Sequence, residues 1–492
     1  MEYLSATFSS LSSVLSFERG ILLVVLLSIS ATFVYKSNRQ PASSDYQSSL
    51  HNASTSEKNK MKDREWGEWS PVTFSYPPVE CSSNPINLKP IPYRPFRWGA
   101  YHVTMGIRDM PWDEWIEADN QLRSYYYIKK HRISTRGTNV VQILPDSPGI
   151  VKSASQSAVE LVHELAGYLS KRYPDAYTVL HNAARGISSI TIVPVNSTLE
   201  LPPALVMEGS LELRQVTIEE AEHAMKISAL LVQDDLALMV EGTDGRYYFQ
   251  GGAICVPGFW RMRDKIGLPL EDIHIQGHVP QCMPQSNISF TPNSNLSNTS
   301  TDETRLHNSM DRYFKRMAVE KPIIRNNYFF QVIPPKEIRP PFDAISQSSA
   351  EPIIENDSIV DSEELAWSTT TNGSEETFNH GHPINPDERP IVAAENLRLR
   401  TERQTLRRLP LSGAIVFTIR TYLFPIEELA KEPGIPARMA SAMRSWPEDV
   451  RRYKGNGLYE KVMLEYLDKA AKEQLDAGGE EVMKDSGKGY PF

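Results

Sequence analysis

The arginine-rich segment between Asn396 and Tyr422 constrains the fold of this chain more than any other stretch. An apolar, strand-like run, Leu411–Tyr422, carries Arg420, and five further arginines precede it: Arg398, Arg400, Arg403, Arg407 and Arg408. Arginine forms bidentate pairs with carboxylates and phosphates, and it seldom lies in or beside a β-strand without a neutralising partner. We therefore expect an anionic group at this segment. In the alternative interpretation, the arginines lie on a solvated helix face and pair with Glu402 and neighbouring acids.

Length, charge and cysteine content narrow the class of protein. A chain of 492 residues could hold two or three domains of roughly 150 residues, but its low-complexity inserts favour one principal domain, residues 86–476. The net charge of −9 argues against a nucleic-acid-binding protein, which would present a basic surface. The three cysteines, Cys81, Cys255 and Cys282, are too few and too scattered for a disulfide framework or a four-cysteine iron–sulfur site. A reduced, cytosol-facing environment is the simplest interpretation.

An uncharged apolar run, Gly20–Tyr35, lies near the N-terminus. A membrane-spanning helix needs about 20 apolar residues, with a lower limit near 17, so the run is either a short membrane helix or a long signal-peptide core. We favour an uncleaved transmembrane anchor over residues 20–36, after an N-terminal tail of residues 1–19. Because Lys36 and Arg39 follow the run, the positive-inside rule places the C-terminal bulk in the cytosol. The chain is thus predicted to be a single-pass membrane protein.

The apolar patterns predict a mixed α+β fold with antiparallel strands. Ser157 to Tyr173 and Thr217 to Leu230 have the helical period, and Pro174 follows the first of them. His163 lies in the first pattern without the second histidine of a zinc-protease helix, so we interpret it as structural. Two apolar runs flank a turn at Gly242–Gly245, which indicates an antiparallel hairpin.

Several segments lack the periodic apolar positions of a folded element. Residues 37–85 are rich in Ser, Asn and Lys and are predicted to form a flexible tether. Residues 284–304 are rich in Ser, Asn and Thr, and residues 341–386 are acidic and rich in Ser. Neither insert carries enough apolar area to offset the entropy of ordering the chain, so both are predicted to be disordered. The polar residues 477–492 are predicted to form a flexible tail.

The segment from Val256 to Pro280 holds two histidines, His274 and His278, four residues apart. On a helix this spacing would place both imidazoles on one face, as in a metal site. Gly277 and Pro280 make a helix through both residues improbable, so we expect a loop in which only one histidine need be a ligand. A purely structural role for either histidine also remains open.

The same segment carries a family resemblance. Trp260, Lys265-Ile-Gly-x-x-Leu, Ile273-His274 and Val279-Pro280 are similar to a pattern in the family of haem-dependent oxidative N-demethylase α subunits. Further matches are spread over residues 90–455: Leu231-Val-Gln-Asp-Asp-Leu, Ser309-Met-Asp-Arg-Tyr-Phe, Arg325-Asn-Asn-Tyr328 and Arg400-x-Glu-Arg-Gln-Thr-Leu-Arg-Arg-Leu-Pro410. The last match is the most specific.

The resemblance implies a PAS-like domain, an antiparallel sheet with flanking helices, that holds haem b. It assigns the proximal iron ligand to His274, which occupies the Ile-His position of the pattern. It assigns the haem propionates, or a polarised oxygen, to Arg403 and Arg420. Ile-His and Val-Pro are two residues further apart here than in bacterial members, which leaves His278 as a rival ligand.

The resemblance also implies an O2-dependent oxidase or N-demethylase of a small amine. The sequence contains no Gly-x-Gly-x-x-Gly unit and no cysteine cluster, so electrons would come from a partner reductase with a flavin or an iron–sulfur centre. A haem or small-molecule sensor, or a non-catalytic PAS-like scaffold, would use the same fold. The anchor alone would also suit a secretory glycosyltransferase, but the chain shows no Asp-x-Asp motif in a convincing strand-end context.

Overall fold

The computed structural model describes nine stretches of the chain: residues 64–91, 93–96, 98–99, 106–182, 186–206, 212–275, 310–334, 365–378 and 390–478. The predicted anchor, the N-terminal tail, the first part of the tether, the 284–304 insert and nearly all of the C-terminal tail lie outside these residues. Within the described stretches, no helix has both the length and the apolar character that a membrane crossing requires.

Nine labelled α-helices flank the strands of the described chain. They are α1 (Leu122–Arg136), α2 (Ser155–Arg172), α3 (Ile218–Leu231), α4 (Leu270–Ile275), α5 (Thr369–Asn372), α6 (Ile426–Leu429), α7 (Ile435–Arg444), α8 (Glu448–Tyr453) and α9 (Glu460–Gly478). Helices α2 and α3 confirm the two predicted periodic segments. At the start of α3 the Thr217 hydroxyl accepts a hydrogen bond of 3.2 Å from the Glu220 amide, which satisfies one free donor of the first turn.

The strands form a large sheet and a small one. They are β1 (Arg108–Asp109), β2 (Val141–Ile143), β3 (Tyr177–Asn182), β4 (Gly186–Ile192), β5 (Ser197–Glu200), β6 (Asp235–Glu241), β7 (Tyr247–Ala253), β8 (Ile323–Val332), β9 (Leu397–Arg408) and β10 (Ile415–Pro425). The seven-stranded sheet has the order β1-β8-β9-β10-β6-β7-β2, and every neighbouring pair is antiparallel. The pairing of β6 with β7 confirms the predicted hairpin.

The arginine segment forms the two central strands of the large sheet. Strand β9 pairs with β10 from Ile415↔Arg408 to Pro425↔Arg398 and with β8 on its other side. The expectation that five of the arginines precede the strand is therefore corrected, because they lie within β9 itself. The β9–β10 turn closes through a hydrogen bond from the Gly413 amide to the Leu409 carbonyl, with Gly413 at a φ of 74°.

Side chains of β9 alternate between two faces of the sheet, because successive residues of a strand point in opposite directions. We call one side the α2 face. It carries Arg403 and Arg407. Its residues Val416 and Leu236 pack in a core with Leu161 and other residues of α2 and α3. At one end of the same face, residues of β8 and β9 pack against α6, α7 and α9.

We call the opposite side the α4 face. Leu406 of β9 and Ile415 of β10 form a cluster there with Leu270 of α4, Met262 and Phe314. Ile273, also on α4, packs against the edge of this cluster. The sheet therefore separates α4 from α2.

The flexible tether was predicted to extend to residue 85. This prediction is corrected, because residues 64–85 contact the folded domain. Arg64 forms an ion pair of 2.5 Å with Glu241, and the Trp69 indole donates a hydrogen bond of 3.0 Å to the Pro410 carbonyl. Further along, the Ser82 amide donates to the Arg172 carbonyl at 2.7 Å. The compact unit accordingly begins at Arg64. These contacts involve isolated aromatic and charged residues, which a periodicity argument does not detect.

Part of the second predicted insert, residues 341–386, also contacts the folded domain. This part is residues 365–378. Ala366 and Trp367 are buried, and Trp367 forms a parallel bridge with Gly258. Glu375 forms ion pairs with Arg132 at 2.6 Å and with Arg136 at 3.1 Å, both on α1. A short apolar run flanked by polar sequence is thus held in place by arginines that lie far away along the chain.

We expect Gly413→Ala to destabilise the protein by about 2–4 kcal/mol. A Cβ at this position would overlap the Trp69 indole and would also impose a left-handed conformation on alanine. In a Trp69→Ala background the overlap is gone, so Gly413→Ala should cost only the backbone strain of about 1–2 kcal/mol. Urea unfolding of the four proteins measures the difference. An equal cost in both backgrounds would show that Trp69 does not pack on this turn.

Candidate functional site

The six arginines of β9 and β10 are buried, none being more than 8% exposed. The alternative of a solvated helix face is therefore wrong. The strand divides the arginines between its two faces: Arg403, Arg407 and Arg420 lie on the α2 face, whereas Arg398, Arg400 and Arg408 lie on the α4 face. Any function of this segment must be assigned to each face separately.

On the α2 face the chain supplies its own anions to the arginines. Arg403 Nε lies 3.0 Å from Glu117 Oε1, and Arg420 Nη2 donates to Asp119 Oδ2 at 2.8 Å. Glu117 also accepts hydrogen bonds from the hydroxyls of Tyr93, at 2.7 Å, and of Tyr422. The expected anionic group is therefore present, and it consists of two carboxylates that follow Trp115.

These pairs keep the buried guanidiniums charged. Burial opposes the charge of Arg403, but the nearby carboxylate of Glu117 outweighs it and raises the pKa of Arg403 above its usual value. Arg407 lies 3.2 Å from Glu164 and over the Trp115 ring, with 4.3 Å between its Cζ and the ring centroid. The α2 face thus holds a compensated layer of ion pairs within the core.

Arg400, on the α4 face, binds backbone rather than carboxylate. Its guanidinium donates to the Val256 carbonyl at 2.7 Å and to the Leu365 carbonyl at 3.1 Å. Gly258 lies so close that a Cβ on it would overlap this guanidinium. Arg400 therefore ties the segment that follows β7 to the centre of the sheet.

The backbone of His274 lies in helix α4, which corrects the expected loop at this residue. The described part of this helix runs from Leu270 to Ile275, and Gly277, whose helix-breaking effect the sequence predicts, lies outside the described residues. His278 lies outside the described residues. Because Leu270 of α4 packs on Leu406 and Ile415, His274 belongs to an element of the α4 face.

The structure does not bring together the residues that the resemblance assigned to one haem site. The helix that carries His274 is on the α4 face, whereas the guanidiniums of Arg403 and Arg420 are on the α2 face and contact Glu117 and Asp119. The sheet lies between these groups. A single ligand on the α4 face would have to be held by other cations.

A patch of half-buried residues lies at the centre of the α4 face. Arg325, Gln404 and Ile419 are aligned across β8, β9 and β10 and are all half-buried, although Gln404 and Ile419 lie within strands that are paired on both sides. Neighbouring positions on the same face extend this area. We call it the central patch and define it by Arg325, Asn327, Glu402, Gln404, Phe417 and Ile419.

Glu402 is the acidic residue of the central patch. Its Oε2 accepts a hydrogen bond of 3.0 Å from Gln404 Nε2. Burial raises the pKa of this carboxyl above its usual value, while the charges of Arg400 and Arg325 act in the opposite direction. Glu402 is itself buried, at 5% exposed, and its charge also interacts with Lys265 and Lys454. When ionised, this carboxylate can accept hydrogen bonds from a cationic group.

Aromatic and basic residues from the segment before α4 adjoin the central patch. The rings of Phe259 and Phe329 are 4.4 Å apart, and Trp260 packs on the same cluster as Phe417. Lys265 Nζ lies 4.9 Å from the centroid of the Trp260 ring. Burial lowers the pKa of Lys265 to about 8, against the opposing charges of Glu402 and Asp264.

The sequence patterns pointed to these residues without revealing their roles. Lys265 and Arg325 each lie in a segment that resembles the family pattern, whereas the sequence indicates Glu402 only as a partner for the arginines. The period-2 alternation of β9 was the signal that could have separated Glu402 from Arg403, because adjacent strand residues cannot share a face.

The family model described as haem-dependent oxidative N-demethylase, alpha subunit-like, matches residues 106–291 and 298–464. The match covers more than half of the chain. The protein belongs to this family. All ten strands and helices α1 to α8 fall within the matched residues, whereas the N-terminal arm from Arg64 to Pro85 precedes them.

The α4 face of this N-demethylase-like domain has the chemistry that haem requires. A haem presents a large apolar ring system, two acidic side groups and an iron that accepts an imidazole. The central patch adjoins the aromatic residues Phe259 and Trp260, carries the cation Arg325, and lies on the face that packs against the helix of His274. The residues present therefore fit the cofactor in the family's name.

We expect Arg403→Ala to reduce the free energy of unfolding by about 3–5 kcal/mol, because it leaves the buried Glu117 without its cation. The loss should be equal in haem-loaded and haem-free protein, since the partner of Arg403 belongs to the chain. Arg444→Ala is the control: its pair with Asp468 is exposed, so about 0–1 kcal/mol should be lost. A loss confined to haem-loaded protein would restore the assignment of Arg403 to a propionate.

Proposed function

We propose that this protein is a membrane-anchored, haem-binding oxidase that uses O2 to remove a methyl group from a small amine. The observation that carries this proposal is the central patch: a buried carboxyl, Glu402, is bordered by half-buried residues on the sheet face against which the helix of His274 packs. Membership of the N-demethylase-like family supports the class of reaction.

The residues proposed to hold the cofactor all belong to the α4 face. His274 would ligate the iron, Arg325 would pair with an acidic side group, and Phe259 and Trp260 would contact the apolar ring system. The three cysteines are isolated in sequence and form no Cys-x-x-Cys-His motif, which supports non-covalent haem b. When bound, the haem supplies O2 activation and oxidation of the substrate carbon.

Glu402 is proposed to bind the substrate as its ammonium ion. A protonated secondary amine carries two N–H donors, and an ionised carboxylate is acceptor-only, so the two groups match in charge and in hydrogen bonding. Gln404 holds one carboxylate oxygen and leaves the other for the substrate. The surrounding apolar side chains favour a small amine with methyl substituents.

The proposal includes an electron donor and a membrane. The chain has neither a dinucleotide-binding glycine motif nor a cysteine cluster, which supports a partner reductase with a flavin or an iron–sulfur centre. The apolar run Gly20–Tyr35 supports a single membrane anchor over residues 20–36, and the basic residues Lys36 and Arg39 support a cytosolic domain. The large antiparallel sheet with a helix on its ligand-binding face supports the PAS-like description.

We expect full-length protein to bind haem stoichiometrically, with a Soret band that shifts on reduction and on addition of CO. His274→Ala should abolish this binding, because it removes the protein ligand of the iron. The control is His163→Ala: its Nε2 lies 2.8 Å from the Pro202 carbonyl, remote in sequence from α4, so haem content should stay normal. Loss of haem in His278→Ala but not in His274→Ala would show that His278, and not His274, ligates the iron.

We expect Glu402→Gln to retain haem but to bind a methylated secondary amine about 10–100-fold more weakly, because the charged partner is lost. Spectral titration with the amine measures this affinity. Since the pKa of Glu402 is raised, wild-type affinity should increase with pH as the carboxyl ionises, until the amine itself loses its proton. The amine affinity of the Glu402→Gln variant should not increase with pH in this way.

A turnover assay distinguishes an enzyme from a sensor that has the same fold. Haem-loaded protein supplied with a reductant, O2 and a methylated amine should release formaldehyde. Normal amine binding without formaldehyde would identify a sensor instead. An amine affinity and pH profile that are unchanged in Glu402→Gln would show that Glu402 does not bind the substrate.

A further inference from the structure

Lys265 is the basic residue at the edge of the central patch that the proposed reaction does not use. It follows the 3-10 turn Met262–Asp264 and precedes α4. Its side chain is half-buried, its ammonium nitrogen lies over the Trp260 ring, and its charge interacts with Glu402. Asp264 is also close, but Arg261 already binds that carboxylate at 2.7 Å. Lys265 therefore adjoins the patch without a direct salt bridge among the described residues.

Burial makes this amine more reactive than an ordinary surface lysine. It lowers the pKa of Lys265 to about 8, so roughly a tenth of the side chain is a neutral amine at pH 7. An unperturbed lysine is neutral in well under about one molecule in a thousand at this pH. A desolvated lysine beside an apolar pocket is the usual form of an amine that attacks carbonyl groups.

We infer that Lys265 captures a small aldehyde at the central patch as an imine. The aldehyde follows from the proposed function, on which this part of the inference rests: oxidation of an N-methyl carbon releases formaldehyde. The lysine nitrogen forms a bond to the aldehyde carbon, giving a carbinolamine, and loss of one water then gives the imine. No redox change accompanies these steps, and hydrolysis returns the aldehyde to solution or to a following reaction that consumes it.

Two other lysines provide internal comparisons. Lys431 is exposed, and its hydrogen bond to Glu428 raises its pKa, so its amine is almost always protonated. Burial lowers the pKa of Lys454 to about 7, but its ammonium donates to the Tyr328 carbonyl at 2.7 Å and lies 3.8 Å from the Tyr328 ring centroid. Lys454 is thus deprotonated easily but enclosed. Lys265 combines a lowered pKa with a side chain that is half-buried rather than buried, which favours selective reaction at this residue over both other lysines.

The test is chemical labelling of the full-length protein. A low concentration of formaldehyde with sodium cyanoborohydride at pH 7 reduces any imine to a methylated lysine, and peptide mass spectrometry then measures the rate at each residue. Lys265 should be methylated about tenfold or more faster than Lys431. Lys265→Arg keeps the positive charge but should lose this label, with the labelling of Lys431 unchanged. Equal rates at Lys265 and Lys431 would overturn the inference.

A second arm separates this inference from the proposed function. An amine with an isotopically labelled N-methyl group replaces added formaldehyde during turnover, with the same reductive trapping. Isotope at Lys265 supports both proposals. If added formaldehyde labels Lys265 selectively but the amine does not, the proposed demethylation is wrong, while the assignment of Lys265 as an aldehyde-binding amine stands.

Discussion

The rest of the structure depends on the two buried ion pairs that join the central strands to the segment after Trp115. Arg403 with Glu117 and Arg420 with Asp119 place four charges inside the domain, where an unmatched charge would cost several kcal/mol. The pairs therefore specify the register of β9. A slip by one residue would exchange the faces, directing Glu402 towards Glu117 and Arg403 towards the central patch. The ion pairs on one face thereby determine which charge the opposite face presents.

This division explains how one strand serves both stability and binding. On the α2 face Arg403, Arg407 and Arg420 each pair with a carboxylate of the chain, and the side chains lie within a core of aromatic and aliphatic residues. On the α4 face, the buried carboxyl of Glu402 is bordered by half-buried residues and has only Gln404 as its hydrogen-bond partner among the described residues. A strand that is fixed by ion pairs on one face and presents polar side chains on the other is the arrangement expected of a binding site built on a rigid sheet.

The sequence predicted local elements well and charge partners poorly, for physical reasons. Helix α2, helix α3 and the β6–β7 hairpin follow from apolar periodicity, which is a local property. Strand β9 carries arginines on both faces, so polarity no longer marks its exposed side and the pattern cannot tell Glu402 from Arg403. Glu117 and Asp119 lie about three hundred residues before their partners, and nothing local identifies them. The docking of Trp69 and Trp367 escaped prediction because single aromatic residues carry no period.

Arg400 connects the two ends of the proposed site through the same strand. It precedes Glu402 by two residues, so both side chains point to the α4 face. Its hydrogen bonds to the Val256 and Leu365 carbonyls hold the segment that continues through Trp260 and Lys265 to α4. A lysine at position 400 would present its donors from one nitrogen, whereas Arg400 reaches the two carbonyls from two separate nitrogens of its planar guanidinium. Strand β9 thus contributes Glu402 and Gln404 to the central patch. Through Arg400 it also holds Val256, where the segment that continues to the helix of His274 begins. Strand β9 therefore contributes to the position of that helix relative to Glu402, together with the ion pairs that Glu271 and Asp272 of the helix form with Arg246.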